Sequence, residues 1–505
     1  MYSSRHRTSS ESGPFVLFLA IAAASVAAYF VYVLFLYGNL EGYLDHIEPN
    51  TAIAAWRFME GHALFKDIHE WPKVGVYGPL LYIIHYAVFK IFGGSILLSK
   101  LASSVAIAAS VLIFYFYASK RFGALKTYSG VLMFLAILML YAPYSFWNRP
   151  DPFIVLFVTL AVFAKDLPAE RWGRWAPHVV VGVSMGLAVN LKIHSFIYFF
   201  PIFVDLCGWR GIRKMVIIGL ISVVVFLVPF IHPDISLVKY LSRTFGGLEG
   251  RGVDMGMLAT SLRFSLYFLS PALLLAGLMA RGRNFVDGKD AVYFAALAVT
   301  VAVSLYPASI PGTGPHHLLP LLAITIDAML RFARKFDDAP RLQKGIFVLF
   351  PIIFLAVSLP VQRRLMRNID RIALENTAKE VHEAAEKFKD GVIEIGYGES
   401  FENHRFSYFK PILVFAGNPV TVSAQEVMEY RSLGFDYTEK LVAELEACKT
   451  PNWLIPKGEA PFRLQSYYGV HGLFGRAADV FVERYEKTDA LIYYDLWTCK
   501  GNKRP

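Results

Sequence analysis

Charged residues are scarce in this chain of 505 residues: only 18% of its positions are charged, whereas 55% are hydrophobic. The mean hydropathy of +0.44 is too high for a soluble globular protein, and the apolar residues come in long runs rather than in amphipathic patterns. The first run, residues 14–37, has no charge and is long enough to cross a bilayer core as a helix, which takes about 20 residues. It is too long for a cleaved signal peptide. The sequence therefore predicts a polytopic α-helical membrane protein.

Cysteine is rarer still, with three residues in the whole chain. Cys207 falls at the end of an apolar run and is predicted to be a packed, inert thiol. Cys448 and Cys499 fall in the polar last part of the chain, on the side of the membrane where disulfides persist. They are predicted to be bonded to each other in a structural role.

A nucleic-acid recognition module is also absent, although the formal net charge is +10. The basic residues separate apolar runs instead of forming one patch, which argues against nucleic-acid binding. Basic residues in short connections are typical of the cytoplasmic side of a membrane protein.

The charge pattern predicts eleven membrane spans with the N-terminus inside. The connections "SKRFGALK", "KDLPAERWGRW", "WRGIRK", "ARGRNFVDGK" and "RFARKFDDAPRLQK" then all lie inside, provided that residues 77–93 are not counted as a crossing. Residues 77–93 are predicted to form a helix that lies along or dips into the outer face, beginning at Gly78-Pro79. The predicted spans are residues 14–37, 96–117, 126–144, 152–165, 176–190, 194–208, 213–232, 259–280, 290–307, 318–331 and 345–361.

After residue 362 the long apolar runs give way to amphipathic and alternating patterns. The transmembrane domain is assigned to residues 1–370, and residues 371–505 predict a small α/β domain on the outer, periplasmic side. Helices are expected in "ALENTAKEVHEAAEKFKDG" and "TEKLVAELEAC", and strands in "GVIEIGYG", "PILVFAGN", "NWLIP" and "DALIYYDLW".

Polar residues that do not suit simple connectors collect at the predicted outer ends of the spans. They are Asp45, His46 and Glu48 in "EGYLDHIEPN", Arg149 and Asp151 in "NRPDP", Lys192 and His194 in "GLAVNLKIHS", and His316 and His317 in "GPHHLLP".

Each of these groups also has a purely structural interpretation. Glu48 can cap a helix that begins at Pro49, while Asp45 and His46 stay solvated. Lys192 can extend its ammonium group to the membrane surface. Contacts with phosphate or structural hydrogen bonds are favoured for His316 over metal ligation, because the motif has no carboxylate, but a divalent metal stays open as an alternative.

Taken together, carboxylates and cations at one leaflet boundary favour a transfer reaction. A carboxylate can act as general base on a hydroxyl, and cations can stabilise the charge that develops on a departing phosphate. A lipid or glycan transporter would place polar groups near the middle of the bilayer, where the predicted spans are nearly free of charge. A phosphoethanolamine transferase would need a metal-rich outer domain, whereas residues 371–505 lack a dense His/Asp cluster. Other lipid-linked transferases, such as a polymerase or a ligase, stay open.

The order of these motifs resembles the GT-C superfamily of glycosyltransferases, which use polyprenyl-phosphate sugars. The chain is similar to bacterial relatives of the protein O-mannosyltransferases, of the aminoarabinose transferase of lipid A and of the rhizobial lipopolysaccharide galacturonosyltransferases. The resemblance is carried by "EPNTAIAAWRFMEG", "YGPLLYIIHYAVFKIFG", "NRPDPFIVLFVTLAVF" and "GLAVNLKIHS", covers about residues 14–235, and has a weaker echo at "HHLLP". The relatives usually have Asp where Ile47 stands here, and those of the aminoarabinose type have Lys where Gly78 stands.

The resemblance implies a GT-C fold and an inverting glycosyltransferase of the bacterial inner membrane. The donor would be a polyprenyl-phosphate sugar and the acceptor a hydroxyl of a lipid-linked glycan or lipopolysaccharide, with no confident cofactor. The implied catalytic residues are Glu48 or Asp45 as the base and Asp151 to orient the substrate or the cations. The implied contacts of the donor phosphate are Lys192, Arg149, His316 and Lys73, and those of the remaining substrate are His46, His194 and Tyr77.

Overall fold

The computed structural model describes residues 13–67, 70, 77–208, 211–246, 252–281, 288–334, 340–432, 434–464, 466–467 and 470–501. Lys73, a predicted phosphate contact, lies outside the described residues.

The first three quarters of the chain form a helical bundle. Its α-helices are α1 (Gly13–Gly38), α2 (Ile47–Met59), α3 (Pro79–Phe92), α4 (Ile96–Arg121), α5 (Ala124–Leu140), α6 (Asp151–Ala164), α7 (Ala169–Trp172), α8 (Ala176–Val189), α9 (Phe200–Cys207), α10 (Ile212–Leu227), α11 (Leu237–Gly246), α12 (Met255–Arg281), α13 (Gly288–Ala308), α14 (Leu322–Arg334) and α15 (Pro340–Glu375). Short 3₁₀ helices at Ile193–Phe199, Val228–Ile231 and Pro315–Leu321 join them.

Each of the eleven predicted spans coincides with helix in the structure. Among the described residues, six helices are long and apolar enough to cross a membrane, and further apolar helices are shorter. The helix predicted at residues 77–93 is present as α3, with Gly78 as its N-cap and Pro79 in its first turn. These features are those of a multi-pass membrane protein.

Helix α5 lies at the centre of the bundle. Every residue from Ser129 to Leu140 is buried, and the helix packs against α1, α4, α14 and α15. Helices α1 and α10 instead expose large apolar side chains such as Phe35 and Val224. Since exposed apolar surface on this scale is unfavourable in water, we infer that these faces contact lipid.

One end of the bundle holds a set of charges, which we name the basal ion cluster: Lys165, Asp327 and Arg331, which are buried, and Asp205, which is partly exposed. Lys165 pairs with Asp327 and lies 3.4 Å from Asp205. The Arg331 guanidinium lies 3.0 Å from Asp327 and donates to Asp205 at 2.9 Å. Lys165 follows the last residue of α6, so the cluster lies about 21 Å, the length of that 14-residue helix, from Asp151 at its first residue.

The last quarter of the chain forms a small α/β unit, as predicted. Its helices are α16 (Thr377–Lys387), α17 (Lys410–Phe415), α18 (Ala424–Ser432), α19 (Thr438–Glu446) and α20 (Ala477–Arg484), with a 3₁₀ helix at Asn403–Phe409. Its strands are β1 (Ile393–Ile395), β2 (Asn452–Pro456), β3 (Ser466–Tyr467), β4 (Val470–His471), β5 (Tyr485–Ala490) and β6 (Tyr494–Cys499). One sheet has the order β1-β2-β6-β5, with β1 parallel to β2 and the other pairs antiparallel; β3 and β4 form a separate pair.

The predicted strand in "PILVFAGN" is wrong, because these residues form α17 and the turn after it. The predicted disulfide between Cys448 and Cys499 is confirmed, and it joins the turn after α19 to the end of β6. Cys207 is a free, partly buried thiol at the end of α9.

The α/β unit lies over the first loop of the bundle. The Asn50 side chain in α2 donates to Gln425 at 2.7 Å, and the ring of Trp56 packs edge-on against Phe415 at 5.1 Å. Helix α2 is therefore held between the bundle and the α/β unit, at the end of the bundle where Asp45 and Asp151 lie.

Candidate active site

The loop from α1 to α2 is fixed by a buried lysine of α4. The Lys100 ammonium donates to the carbonyls of Tyr37, Leu40 and Gly42 at 3.1, 2.6 and 2.6 Å. Tyr37 lies in the last turn of α1, whose negative end the ammonium offsets, and Leu40 and Gly42 lie in the loop that follows. The loop that carries Asp45 thus starts from a fixed position.

Glu48 is the second support of this loop. Its side chain is 0% exposed, and one oxygen accepts the amides of Leu44 and Asp45 at 2.9 and 3.2 Å. The other oxygen accepts the Tyr37 hydroxyl and the Asn148 amide, the latter at 3.0 Å. Burial raises the pKa of Glu48 against the opposing influence of Lys100. Both oxygens are engaged, so Glu48 joins the loop to the "NRPDP" segment.

Glu48 does not cap α2 as the sequence predicted: the N-cap residue is His46, whose side chain forms no capping hydrogen bond. Helix α2 begins at Ile47, two residues before the predicted start, and the Ile47 amide donates to the Asp45 carboxylate at 2.9 Å. The carboxylate also lies 3.1 Å from the His46 ring and 3.5 Å from the Arg149 guanidinium. Burial acts to raise the pKa of Asp45, but His46 and Arg149 lower it to about 2. Asp45 is therefore ionised at neutral pH.

Asp45, unlike Glu48, reaches open space. Its side chain is 15% exposed and lines a cavity of about 600 Å³ between the first loop, the end of α5 and α15. Tyr144 and Trp147 form another part of the cavity wall. A cavity of this volume is in the range of small-molecule sites, roughly 300–1,000 Å³. Of the first two predicted carboxylates, Asp45 is the one that a substrate can contact.

Two cations adjoin Asp45 and Asp151. The Arg149 guanidinium donates to the Tyr77 hydroxyl at 2.9 Å and lies 4.4 Å from the centre of the Trp147 ring. Lys192 donates to one Asp151 oxygen at 2.7 Å, while the other Asp151 oxygen is buried and accepts no hydrogen bond from a described residue. Burial lowers the pKa of Lys192, an effect that Asp151 opposes.

Gly78 fixes how these elements meet. Its amide donates to the Leu191 carbonyl at 3.0 Å, and a Cβ built on it would lie 1.9 Å from the Asn190 carbonyl oxygen. The start of α3 therefore packs directly on residues 190–192, which join α8 to the next 3₁₀ helix. This segment carries Lys192. The Lys192 ammonium lies 5.7 Å from the Tyr77 ring as a result. The lysine that the relatives have at this position has no room here.

The histidines form a buried group beside Asp151. The rings of His317 and His194 lie within hydrogen-bond distance at 3.2 Å, and the His316 ring stacks on Tyr144 at 4.8 Å. Burial, aided by Lys192, holds the pKa values of His316 and His317 well below the ordinary range. These rings are neutral at pH 7 and offer hydrogen bonds rather than positive charge.

Among the described residues, no three His, Cys, Asp or Glu side chains are placed to hold a metal ion.

The predicted site residues that the structure describes thus meet at one end of the bundle; Lys73 lies outside the described residues. Sequence reasoning missed Tyr37 and Asn148, which bind Glu48, and Lys100. A signal for Lys100 existed, because it is the only charged residue between residues 91 and 119 of an apolar stretch. A charged residue in such a stretch is costly unless it has a partner.

Comparison with known proteins gives a matching family model and similar solved structures. Residues 77–233 match the family of dolichyl-phosphate-mannose-protein mannosyltransferases. ArnT from Cupriavidus metallidurans bound to undecaprenyl phosphate superimposes with a TM-score of 0.56 at 11% identity, over 97% of this chain and 99% of that chain. Its apo state gives 0.56 at 10% identity, over 94% and 97%.

The Archaeoglobus fulgidus oligosaccharyltransferase in complex with zinc and sulfate gives a TM-score of 0.51 at 12% identity, over 87% of this chain and 67% of that chain. No curated protein sequence matches the chain. The chain therefore has the GT-C fold of membrane glycosyltransferases, and its residues 77–233 resemble the dolichyl-phosphate-mannose-protein mannosyltransferases.

Proposed function

We propose that the protein is an inverting glycosyltransferase that moves a monosaccharide from a polyprenyl-phosphate donor to an acceptor hydroxyl. The observation that carries the proposal is the position of Asp45. Its ionised carboxylate lies between an open cavity and the Arg149 guanidinium. The ArnT structure of the same fold holds undecaprenyl phosphate, which supports a polyprenyl-phosphate donor.

In the proposed reaction the acceptor hydroxyl enters the cavity and loses its proton to the Asp45 carboxylate. The acceptor oxygen attacks the anomeric carbon, and the bond from that carbon to the phosphate oxygen breaks on the opposite face of the sugar. The polyprenyl phosphate leaves with the electron pair of this bond. Arg149 and Lys192 stabilise its negative charge, and Asp151 holds the Lys192 ammonium in position through their 2.7 Å contact.

Donor binding is expected to strengthen the base. A carboxylate with a pKa of about 2 binds a proton weakly. The contact between Asp45 and Arg149 is long, at 3.5 Å, so a phosphate that pairs with Arg149 competes with it easily. Loss of that opposite charge raises the pKa of Asp45, which makes it a better proton acceptor when the donor is present.

The neutral histidines suit a substrate-orienting role. His194, His316 and His317 have both donor and acceptor nitrogens but no charge, as is suitable for binding sugar hydroxyls or phosphate oxygens. His46 can also contact the substrate from beside Asp45. We propose no cofactor, and we expect the initial rate to be unchanged by EDTA.

The proposed location is a bacterial inner membrane, with the N-terminus in the cytoplasm and the α/β unit in the periplasm. The positions of the basic connections "SKRFGALK" and "WRGIRK" support this orientation. The acceptor would then be a lipid-linked glycan or a lipopolysaccharide precursor on the periplasmic face.

The proposal is tested with purified protein in proteoliposomes, given an undecaprenyl-phosphate sugar and an acceptor lipid extract. The measurement is release of undecaprenyl phosphate. Asp45→Asn should reduce the rate by roughly 10²–10⁴-fold, the usual effect of removing a general base. Its melting temperature should fall only modestly, because the amide oxygen can still accept the Ile47 amide while the ionic contacts with His46 and Arg149 are lost. The matched control is Asp390→Asn, which removes an exposed carboxylate of the α/β unit. Equal rates in both variants would contradict the role of Asp45.

A further inference from the structure

Helix α15 carries a line of arginines that the proposed reaction does not use. Arg363, Arg367 and Arg371 are spaced by four residues, and Arg364 precedes Arg367 by three, which places the four on one side of a helix. We name them the arginine stripe. All four side chains are exposed, and none forms an ion pair with a described residue. Four unpaired like charges along about 12 Å of helix repel one another.

The arginine stripe borders three adjoining cavities. An apolar groove of about 700 Å³ between α1 and α15 is lined by side chains such as Val26, Tyr29 and Leu359, and ends at Arg363 and Arg367. Arg364 and Arg367 also line the cavity that contains Asp45. Arg367 and Arg371 line a third cavity of about 520 Å³ toward the α/β unit. Arg367 belongs to all three, so the groove leads to Asp45 past the stripe.

This groove is distinct from the cations assigned to the donor. Neither Arg149 nor Lys192 lines any of the three cavities. Asp45 therefore has one group of cations on the side of Tyr77 and another on the side of α15. A group-transfer reaction between two lipid-borne molecules needs two such approaches to one carboxylate.

The chemistry of the groove specifies its occupant. Its wall is almost wholly apolar below the arginines, as required to bury an acyl chain. Guanidinium groups bind phosphate through paired, charge-assisted hydrogen bonds. A lipid with an acyl chain and a phosphorylated headgroup satisfies both parts, and a soluble sugar or peptide satisfies neither.

We propose that the groove between α1 and α15 and the arginine stripe bind the acceptor, a membrane lipid with a phosphorylated headgroup. This inference rests on the proposed function, and it adds the class and the entry route of the acceptor. The acyl chain lies beside Tyr29, the phosphate contacts Arg364 and Arg367, and the headgroup hydroxyl reaches Asp45.

The test measures lipid binding to the purified full-length protein by native mass spectrometry. The probe is dioleoyl phosphatidic acid, with dioleoyl phosphatidylcholine for comparison. The variant is Arg364→Gln/Arg367→Gln. The matched control is Arg213→Gln/Lys214→Gln, which removes two exposed positive charges at the start of α10. The stripe variant should bind phosphatidic acid at least tenfold more weakly, since one charge-assisted hydrogen bond is worth about a factor of ten or more. The control should bind it as the native chain does.

Equal phosphatidic acid binding by the stripe variant and the native chain, or equal loss in the control, overturns the inference. Ser25→Phe gives a second test that leaves every charge in place. Ser25 is exposed and lines the groove, so the phenyl ring should fill the groove and weaken binding of both lipids without affecting folding. Retained lipid binding in this variant also counts against the inference.

Undecaprenyl phosphate binding is measured on the same samples. It should stay within twofold of the native value in the stripe variant and fall in Lys192→Gln. If undecaprenyl phosphate binding is retained in both variants, the proposed donor site is contradicted. The result for phosphatidic acid is judged separately. Restored binding in Arg364→Lys/Arg367→Lys would show that charge, rather than the guanidinium fork, is recognised.

Discussion

The close contact at Gly78 gives the sharpest prediction. In Gly78→Ala the new Cβ would lie 1.9 Å from the Asn190 carbonyl oxygen, so the two must separate by about 1.1 Å to reach the 3.0 Å that real contacts show. The φ angle of Gly78 is −69°, which alanine adopts freely, so the effect is steric alone. The separation would also stretch the 3.0 Å hydrogen bond from the Gly78 amide to the Leu191 carbonyl.

The displacement acts on the site as well as on stability. Tyr77 and Lys192 lie on the two sides of this contact, and a shift of about 1 Å in a catalytic arrangement reduces the rate by roughly 10²-fold. We expect kcat/KM for undecaprenyl phosphate release to fall by about that factor. The free energy of unfolding should fall by about 1–3 kcal/mol from overpacking.

The control is Gly219→Ala in α10, where a Cβ meets nothing within 4 Å. It should leave activity intact and stabilise the helix by about 0.5–1 kcal/mol. Thermal unfolding in detergent and the release assay measure both effects. If Gly78→Ala matched Gly219→Ala in melting temperature and in kcat/KM, the contact would not position the site.

Three further outcomes are expected. Glu48→Gln should lower the free energy of unfolding by about 2–4 kcal/mol. Each oxygen of Glu48 accepts from two donors, so two hydrogen bonds are lost whichever oxygen the amide nitrogen replaces. An unchanged melting temperature would contradict this supporting role. Burial lowers the pKa of Lys192, so its charge is lost as pH rises through that lowered value. We therefore expect kcat/KM to decline with rising pH before pH 10.5 is reached. Lys192→Arg should move this decline to higher pH. Cys448→Ser/Cys499→Ser should destabilise the α/β unit by about 2–4 kcal/mol, measured by protease protection. Equal protection of the native chain and the variant would mean that the disulfide is not structural.

The helices were predictable because a bilayer requires long uncharged runs. The charges around α3 predict that it lies outside the spans, and its observed start at Pro79 followed from the fixed φ of proline. The strand predicted at residues 411–418 was wrong for a physical reason. Ile412, Leu413 and Val414 are all buried, so the apolar run shows neither the strand period nor the helix period.

The site was predictable as a set of residues and not as a set of contacts. The sequence placed Asp45 and Glu48 three residues apart, and either could have been the exposed carboxylate. The choice depends on which side chain accepts the amide of Asn148, a residue 100 positions from Glu48. Such a contact exists only after the bundle has assembled, and so do the bonds from Lys100 to the first loop.

The basal ion cluster limits how the molecule can change shape. Its charges come from the C-cap of α6 and from α9 and α14. Separating them in a water-poor interior would leave each charge without its counter-charge, which costs about 3–5 kcal/mol for a single broken pair. We therefore expect the three helices to move as one rigid body at that end, while the cavities around α15 widen and narrow. A transporter must open alternately to the two sides of the bilayer, and the basal ion cluster opposes opening at its end of the bundle. Lipids would enter and leave at the end of the bundle where Asp45 lies, opposite the basal ion cluster.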